Sequence, residues 1–397
     1  MLEPRAVSVA VVVLAIALSA YAPSTTAASV KHPPTFIARI SPVALATRIT
    51  DQSATKQVDY AAPCARCLIQ QVQIATFGRE SDPDLIGGTG TAARDRKGRM
   101  FIPGFDRLRV VVFDSGGRYI TAIGGRGDGP GEFGTATLRG IAYLAIGRGD
   151  SLFAFTATGR VNVFGPDLRF ARTFKIPVAN TSAIVLLRNG DILVGGSAAT
   201  RERIGLPYHV LDSSGEFRRS FGGDGRIIGR GAPPPFPAMF ALSPDEKSMW
   251  IAEFNHIREF HLDGSRGLDL ELVNVPWMPP AVATKIEGIP SRAGKTERTT
   301  TRLLSTGSIT VAGIDSAGLI WIRGQGWSGA PSLTVDPRAI KSYLFAIDPR
   351  TSSVVANLPV KQAFRFLGNS TQAMSSAADS VSGVVSRTLW RLTVVRR

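Results

Sequence analysis

This chain of 397 residues has little cysteine, little histidine and little lysine. It contains two cysteines and four histidines, and only nine of its 46 basic residues are lysine. Two cysteines exclude a disulfide-rich scaffold, and no second C-x-x-C is present to complete a structural zinc site. Apolar residues make up 44% of the chain, which excludes wholesale disorder. The 41 glycines and 25 prolines favour a protein of strands and tight turns.

The chain has one long apolar run, which lies at its N-terminus. The run extends from Ala6 to Ala20, follows a weakly basic start and precedes small residues at Ala27 and Ala28. This order is typical of a secretory signal peptide, and the run is short for a membrane span of about 20 residues. We predict a signal peptide at 1–28, with an uncleaved anchor as the alternative. The sequence thus predicts a periplasmic or secreted protein without a stable membrane span after signal removal.

The net charge of +15 raises the question of a polyanionic partner. The arginines are spread along the whole chain, and no basic stripe is interleaved with aromatic residues as in nucleic-acid-binding modules. Together with export, this distribution argues against a nucleic-acid partner. We expect a monomer that binds a protein, a peptide or a polar small molecule.

A short apolar strand that runs into glycine occurs three times. The residue before the glycine recurs after 46 residues and then after 98, close to one and two steps of the same period. A second signature, an arginine that opens an apolar strand, recurs after 51 and 98 residues, at Arg109, Arg160 and Arg258. A period in the high forties with β-branched and aromatic runs is typical of a β-propeller, with one four-stranded blade per repeat. The three glycine-ended strands are Ile74–Gly78, Ile120–Gly125 and Arg219–Gly223.

Five blades can be assigned from the second strand, which follows a turn and holds an aromatic residue or leucine. The sixth blade needs both ends of the chain, because the strand near Ile74 has no partners upstream and the C-terminus supplies only three strands. Pairing these segments closes the ring and removes two exposed sheet edges. We therefore predict an all-β fold with six blades, with seven as the alternative. The five second strands are centred on Phe101, Phe153, Leu193, Trp250 and Trp321.

The propeller is predicted to occupy 68–397, after a flexible leader at 29–67. The leader is rich in Thr, Ser, Ala and Pro without sustained periodicity. One insertion, 279–305, is rich in Thr, Arg and Lys. A short helix at 280–286 or an exposed loop is expected there.

The two cysteines, Cys64 and Cys67, lie at the end of the predicted leader. No histidine follows them, so this is not a haem-attachment site. In an oxidising compartment a local disulfide is the default expectation. A redox-active pair, free thiols and intermolecular bridging stay open as alternatives.

The segment from Phe101 to Gly116, followed by the loop from Gly124 to Phe133, resembles the NHL-type repeats. It is more similar still to the secreted bacterial six-bladed β-propeller proteins, many of which also open with a C-x-x-C. The resemblance covers about residues 68–397 and implies a propeller. Most NHL-type propellers are platforms for proteins or polymers, and a minority are lactonases or lyases.

This chain departs from the NHL pattern at two recurring positions of the repeat. The position after the second strand, commonly acidic in the repeat, is occupied by Gly104 in blade 1 and by Glu253 in blade 4. The position two residues before the repeat's arginine, usually asparagine, is occupied by Arg107 in blade 1 and by His256 in blade 4. Each blade therefore presents different chemistry, and no symmetric ligand set is expected.

The resemblance brings two metal-dependent activities into consideration. A lactonase-type site needs Asp, Asn and Glu from several blades around calcium. Glu253 and Asn255 could point inward, but blades 1, 2 and 5 offer no comparable set. A lyase-type zinc site needs three histidines from different blades, whereas His256 and His261 share one blade and His32 lies in the leader. A metal-dependent hydrolase of the lactonase type stays the alternative function, with calcium as the cofactor it would need.

The function that the sequence favours is a non-catalytic binding module, although it leaves open whether the protein is an enzyme. The predicted site is the axial mouth of the propeller, where loops from all blades converge. Its expected ligand-binding residues are Arg107, Glu253, His256 and Arg323, just beyond the second strands of blades 1, 4 and 5. Their mixed charge suits a polar ligand or peptide, since arginine pairs well with carboxylates. No metal ligand and no catalytic residue is assigned.

Overall fold

The computed structural model describes most of the chain from Thr55 onwards. The predicted signal peptide and the predicted leader up to residue 54 lie outside the described residues. Two short stretches, 282–286 and 300–304, are described by their backbone alone. The described ranges are 55–136, 140–198, 203, 206–222, 239–253, 255–275, 282–286, 300–304, 307–326 and 339–397.

Within the described ranges the chain forms 27 β-strands and a short 3-10 helix at Arg148–Asp150. The predicted all-β class is confirmed. The strands are β1 (Thr55–Asp59), β2 (Cys67–Phe77), β3 (Ala93–Arg94), β4 (Met100–Pro103), β5 (Arg109–Phe113), β6 (Tyr119–Gly124), β7 (Ile141–Ile146), β8 (Leu152–Thr156), β9 (Arg160–Phe164), β10 (Phe170–Lys175), β11 (Val178–Leu186), β12 (Ile192–Ala198), β13 (Tyr208–Leu211), β14 (Phe217–Phe221), β15 (Phe240–Leu242), β16 (Ser248–Glu253), β17 (His256–His261), β18 (Arg266–Val273), β19 (Val282–Ile286), β20 (Thr300–Leu304), β21 (Gly307–Ile314), β22 (Ile320–Gly326), β23 (Lys341–Asp348), β24 (Ser353–Val360), β25 (Arg365–Phe366), β26 (Gln372–Ala378) and β27 (Val385–Arg396).

The six largest sheets of the described part form a six-bladed β-propeller, so six blades rather than seven is confirmed. In each blade four strands pair antiparallel with their neighbours, and all five predicted second strands lie where the repeat places them. The blades are blade 1 (β3–β6), blade 2 (β7–β10), blade 3 (β11–β14), blade 4 (β15–β18), blade 5 (β21–β24) and blade 6 (β25–β27 with β2).

Blade 6 closes the ring with strands from both ends of the described chain. The early strand β2 pairs antiparallel with the last strand, β27, from Cys67 opposite Arg396 to Phe77 opposite Arg387. This pairing is the closure that the sequence predicts. Without this pairing, both β2 and the C-terminal hairpin would present an unpaired strand edge.

A strap of residues 55–66 runs ahead of blade 6 and corrects the predicted boundary at residue 68. Its strand β1 adds a fifth strand to blade 4, in parallel with β18. Val58 is fully buried, and Tyr60 packs edge-on against Phe345 of blade 5 with 5.2 Å between ring centroids. The folded domain therefore includes Thr55–Asp59, because this stretch gains backbone pairing and buries a valine. Its mostly polar sequence gives no sign of this.

The structure joins Cys64 and Cys67 by a disulfide at the end of the strap. The closed loop spans a sequence separation of three residues, so it restricts the unfolded chain very little. We expect the double variant C64S/C67S to shift the midpoint of thermal unfolding only slightly. A large loss of stability, or disulfide-exchange activity of the wild-type protein, would show that the pair has another purpose.

Part of the insertion at 279–305 is a two-stranded hairpin, in which β19 pairs antiparallel with β20. The suggested short helix at 280–286 is therefore wrong. The segment Val282–Ile286 alternates β-branched residues with others, a pattern that favours a strand over a helix.

Aspartates after the third strands build the tight turns to the fourth strands. In blade 1 the Asp114 carboxylate accepts hydrogen bonds from the backbone N–H groups of Gly116 and Arg118, both at 2.9 Å. These bonds, that from Arg118 most strongly, hold the pKa of Asp114 below its usual value. Gly117 follows with a φ of 87°, a conformation that favours glycine. The recurring Asp and Gly of the sequence are thus explained by turn geometry.

The apolar core lies between neighbouring blades. Blades 4 and 5 share a cluster that includes Trp250 and Phe345, and blades 5 and 6 share another around Trp321. The Trp321 ring packs on Phe366 at 5.0 Å, and its indole N–H donates to Asp315 at 2.9 Å. Each blade therefore depends on the next for its buried surface.

One core group, His209 of blade 3, makes stability depend on pH. Its side chain is fully buried, with Nδ1 2.8 Å from Ser220 Oγ and Nε2 3.2 Å from the Gly196 carbonyl oxygen. Burial lowers the pKa of His209 from 6.5 to about 4, against a smaller raising effect of the bond to Gly196. The folded protein thus keeps a neutral imidazole where the unfolded chain binds a proton.

We therefore expect the free energy of unfolding to fall as the pH drops from 6.5 towards 4, by up to about 3 kcal/mol. The stabilising contribution is complete above pH 6.5 because both states are then neutral. Chemical denaturation across this range measures the slope. The variant H209Q cannot titrate, so its slope in this window should be shallower. Equal slopes for both proteins would contradict the assignment.

Candidate functional site

An axial cavity of about 490 Å³ lies at the centre of the propeller. The first strand of each blade is an edge strand of its sheet, so unpaired main-chain N–H and C=O groups face the axis. The wall is therefore polar even where its side chains are small or aliphatic. All six blades contribute residues, among them Ala93, Tyr143, Ile184, Ala241, Ala312 and Arg365.

The four predicted ligand-binding residues can be placed by strand register. We call the upper face the one at which second strands end, third strands begin and, by antiparallel pairing, first strands start. Arg107 lies in the upper-face turn between β4 and β5. Glu253 and His256 are opposite each other where β16 ends and β17 begins. Arg323 is the fourth residue of β22, opposite Thr310 and Leu344, and not beyond the strand as predicted, because β22 continues to Gly326.

Arg365 opens the first strand of blade 6 and lines the cavity at this end. Burial lowers the pKa of Arg365, Tyr143 partly offsets this, and the positive charge of Arg323 lowers it further. Its Nη2 atom lies 3.1 Å from the sulfur of Met239. Sequence reasoning missed Arg365, although first strands start at the axial mouth of every blade.

Tyr143 interacts electrostatically with both Arg365 and Arg107. It lies in β7 and lines the cavity, and its hydroxyl donates to the Thr181 carbonyl oxygen at 2.8 Å. Burial raises the pKa of Tyr143, while the charges of Arg365 and Arg107 lower it. The phenol is therefore neutral at physiological pH and lies near two cations.

Arg107 is held in place by the start of blade 2. Its φ is 59°, and its Nε atom donates to the Ile141 carbonyl oxygen at 2.7 Å. Burial lowers the pKa of Arg107, and the interaction with Tyr143 raises it. Burial likewise lowers the pKa of Arg323. We call Arg107, Arg323, Arg365 and Tyr143 the arginine mouth.

The arginine mouth carries positive charge that the described protein does not neutralise. Within the described part of the chain, no carboxylate lies within 4.0 Å of the guanidinium groups of Arg107, Arg323 or Arg365, unlike those of many arginines elsewhere. Removing a cation from water without a partner is unfavourable by several kcal/mol. Arg365 interacts electrostatically with Arg323 and Tyr143, and Tyr143 interacts with Arg107, so this part of the axis favours a negatively charged group.

The other two predicted residues have partners inside blade 4. Glu253 accepts from Arg258 at 2.8 Å, and His256 Nδ1 lies 2.9 Å from Asp269. Arg258 also lies 3.6 Å from Asp269, so both carboxylates have a cationic neighbour within blade 4. These contacts account for both side chains without a ligand. A role of Glu253 and His256 in ligand binding stays a prediction.

A metal site would need several His, Cys, Asp or Glu side chains close together. In the described part of the chain, no group of three or more His, Cys, Asp or Glu side chains is arranged to hold a metal ion. Two upper-face carboxylates that a metal ion could use, those of Glu253 and Asp269, are already paired with Arg258. We assign no catalytic residue to the axial cavity.

Comparisons with known proteins agree with this fold. Residues 87–182 match the family model described as a 6-bladed beta-propeller. No sequence relative was found among curated proteins. None of the helices among the described residues has the length and hydropathy of a membrane span.

Three solved structures illustrate the likeness. A protein from Bacteroides fragilis, described as exported, aligns with a TM-score of 0.54 and 11% identity over 85% of this chain and 99% of its own. A member of the DUF4221 family from Bacteroides vulgatus aligns with a TM-score of 0.50 and 8% identity over 83% and 99%. The PQQ-bound aldose sugar dehydrogenase of Streptomyces coelicolor reaches a TM-score of only 0.46, with 11% identity over 84% and 100%, and carries no argument. The first two likenesses concern the fold alone, and with the family match they confirm the resemblance of this chain to bacterial six-bladed β-propeller proteins.

Proposed function

We propose that this chain is an exported binding module that holds a carboxylate-bearing ligand at the arginine mouth. The observation that carries the proposal is a group of three half-buried arginines with no carboxylate within 4.0 Å in the described part of the chain. Arg365 lines the axial cavity together with Tyr143, and Arg107 and Arg323 interact electrostatically with this pair. Arginine stays charged even when burial lowers its pKa, so the mouth is cationic at any physiological pH.

A carboxylate suits this mouth better than a neutral ligand. Guanidinium groups present paired N–H donors whose spacing matches the two oxygens of a carboxylate. The Tyr143 hydroxyl is held by Thr181, and its oxygen can accept or be polarised by a neighbouring donor. The net charge of +15 adds long-range attraction for anions. Ligand binding would thus neutralise a site that is unfavourable when empty.

Export is proposed from the N-terminal sequence. The run from Ala6 to Ala20 and the small residues at Ala27 and Ala28 have the order of a signal peptide. The fold is shared with a protein described as exported, which is compatible with this location. Detection of the mature N-terminus in the periplasm or medium tests the proposal, and retention of Met1 at the membrane would contradict cleavage.

Citrate, a small tricarboxylate, is a suitable probe for the arginine mouth. Isothermal titration at constant ionic strength should detect binding to the wild-type protein. Loss of one charge-assisted contact corresponds to roughly 1.5–3 kcal/mol, so R107Q, R323Q and R365Q should each weaken citrate by about tenfold or more. The matched control R169Q removes one positive charge from an exposed turn between the third strand and the outer strand of blade 2. Equal weakening by R169Q, or no effect of R365Q, would contradict the proposal.

The same variants should separate binding from stability. Arg365 has no carboxylate partner in the described structure and its burial is unfavourable, so R365M should melt at the wild-type temperature or above it. If Arg365 were retained for structure, its replacement would instead lower the stability of the protein. Thermal unfolding without ligand measures this difference. A drop in the melting temperature of R365M comparable to that of a core variant would argue for a structural role.

A further inference from the structure

Exposed apolar side chains are distributed unevenly over the propeller. Four of those in the described residues, Val72, Ile74, Ile120 and Phe170, lie on outer strands of their blades. The other four lie on the upper face, in turns or links beside the start of a strand. No exposed large apolar side chain of the described part lies on the opposite face. The upper-face residues are Leu85, Phe105, Ile340 and Val381, with exposures of 42%, 69%, 38% and 94%.

Two of these side chains adjoin the arginine mouth. The Phe105 backbone N–H donates to the Leu85 carbonyl oxygen at 2.9 Å, which fixes the two residues side by side. Phe105 and Arg107 belong to one turn, in which the Arg107 N–H donates to the Gly104 carbonyl oxygen at 2.9 Å. We call Leu85 and Phe105 the Phe105 patch. The carboxylates that flank this patch, Asp84 and Asp106, lie 2.6 and 3.8 Å from Arg109, whereas Arg107 has no carboxylate within 4.0 Å in the described part of the chain. The apolar surface therefore lies two residues from a cation without such a partner.

The turn that presents Phe105 is held from several sides. Gly104 forms a β-bridge with Ile86, and the Leu108 N–H donates to Asp106 at 3.0 Å. Arg107 is fixed in turn by its bond to Ile141 of blade 2. A single exposed phenylalanine is unremarkable on a protein surface. An aromatic ring on a constrained turn, beside leucine and arginine, is instead what binding surfaces use as an anchor.

We propose that the upper face docks a protein partner through an extended segment in which an acidic residue neighbours apolar residues. The acidic side chain enters the arginine mouth, and the apolar side chains cover the Phe105 patch. This inference rests on the proposed function and specifies its ligand. An acidic polysaccharide fits less well, because Leu85, Ile340 and Val381 offer aliphatic surface on which sugar rings cannot stack. A peptide supplies both carboxylate and apolar groups at alternating positions of an extended chain.

A random peptide library displayed on phage provides the test, with the purified mature protein as bait. Enriched peptides should contain Asp or Glu within two positions of a large apolar residue. Their affinity should fall about tenfold or more for F105S and for R365Q. The matched control I120S removes an apolar side chain of 45% exposure from an outer strand and should bind like the wild type.

Citrate separates failure of this inference from failure of the proposed function. F105S should bind citrate with wild-type affinity, whereas R365Q should lose both citrate and peptides. If citrate binding depends on Arg365 but no peptide is enriched, or enriched peptides ignore F105S, the docking inference is overturned and the anion site stands. Phe105-dependent binding of polygalacturonate without peptide enrichment would overturn it in favour of a polysaccharide. If R365Q leaves citrate binding intact, both proposals fail.

Discussion

A variant that ends at residue 384 is expected to be unfolded, because it lacks the strand on which ring closure depends. β27 pairs with both β2 and β26, and it contributes the fully buried Leu389 and Leu392. Without it β2 has no partner, the last hairpin has an open edge, and the spaces beside blades 1 and 5 lose their cover. Burial of one large apolar side chain contributes about 1.5–3 kcal/mol, so the combined loss rivals the roughly 5–15 kcal/mol that stabilise a domain. Circular dichroism and size-exclusion chromatography measure the result.

A permuted control separates ring closure from chain length. Its chain begins at Gly78 and carries 67–77 after Arg397 through a short turn, since Cys67 lies opposite Arg396. This control keeps four strands in blade 6 and should fold, although without the strap. The expectation is contradicted if the truncated variant stays monomeric and melts like the wild type.

The second large effect is expected at Arg387, where R387A should lower the free energy of unfolding by about 3–5 kcal/mol. Arg387 is only 3% exposed and follows the turn into β27. Its guanidinium donates to the carbonyl oxygens of Gly87, Thr89 and Gly90 at 2.7 to 3.1 Å, in the link from blade 6 to blade 1. Burial lowers the pKa of Arg387 to about 10, so it remains charged near neutral pH. The variant leaves the buried Gly87 carbonyl oxygen without its two donors and removes the donors to the more accessible Thr89 and Gly90 carbonyl groups.

The exposed Arg391 on the same strand offers a matched control. R391A should change stability by no more than about 0.5 kcal/mol, as surface changes usually do. R387K should recover only part of the loss, because an ammonium group cannot reach the three carbonyl groups with fork geometry. Urea denaturation compares the variants. Similar stabilities of R387A and R391A would contradict the assigned role of Arg387.

The fold could be predicted because each blade repeats the same local physics. The arginines at Arg109, Arg160 and Arg258 mark third strands, and aspartates and glycines mark the turns that follow. The strap escaped prediction because only Val58 of β1 is buried, so its sequence has no apolar alternation. Its pairing with β18 joins residues more than two hundred positions apart, and no local pattern encodes such a partner.

The candidate site was predictable only in part. Sequence position placed Arg107 on the upper face, since the turn between second and third strands is evident from the repeat. Arg365 was missed because blade 6 matches the repeat weakly and is completed by a strand from the other end of the described chain. The pairing of His256 with Asp269 depends on the register of β17 and β18, which the sequence leaves undetermined. Whether an arginine is paired or free is a property of neighbouring strands, not of its own segment.

A crystal soaked in sodium bromide tests the central claim most directly, because bromide is an anion whose position is visible from its anomalous scattering. An anomalous peak is expected at the arginine mouth, within contact distance of the Arg365 guanidinium group and absent from crystals of R365M. The claim is contradicted if the mouth stays without a peak while bromide occupies other arginine sites, or if carboxylate side chains are found paired with Arg107, Arg323 and Arg365.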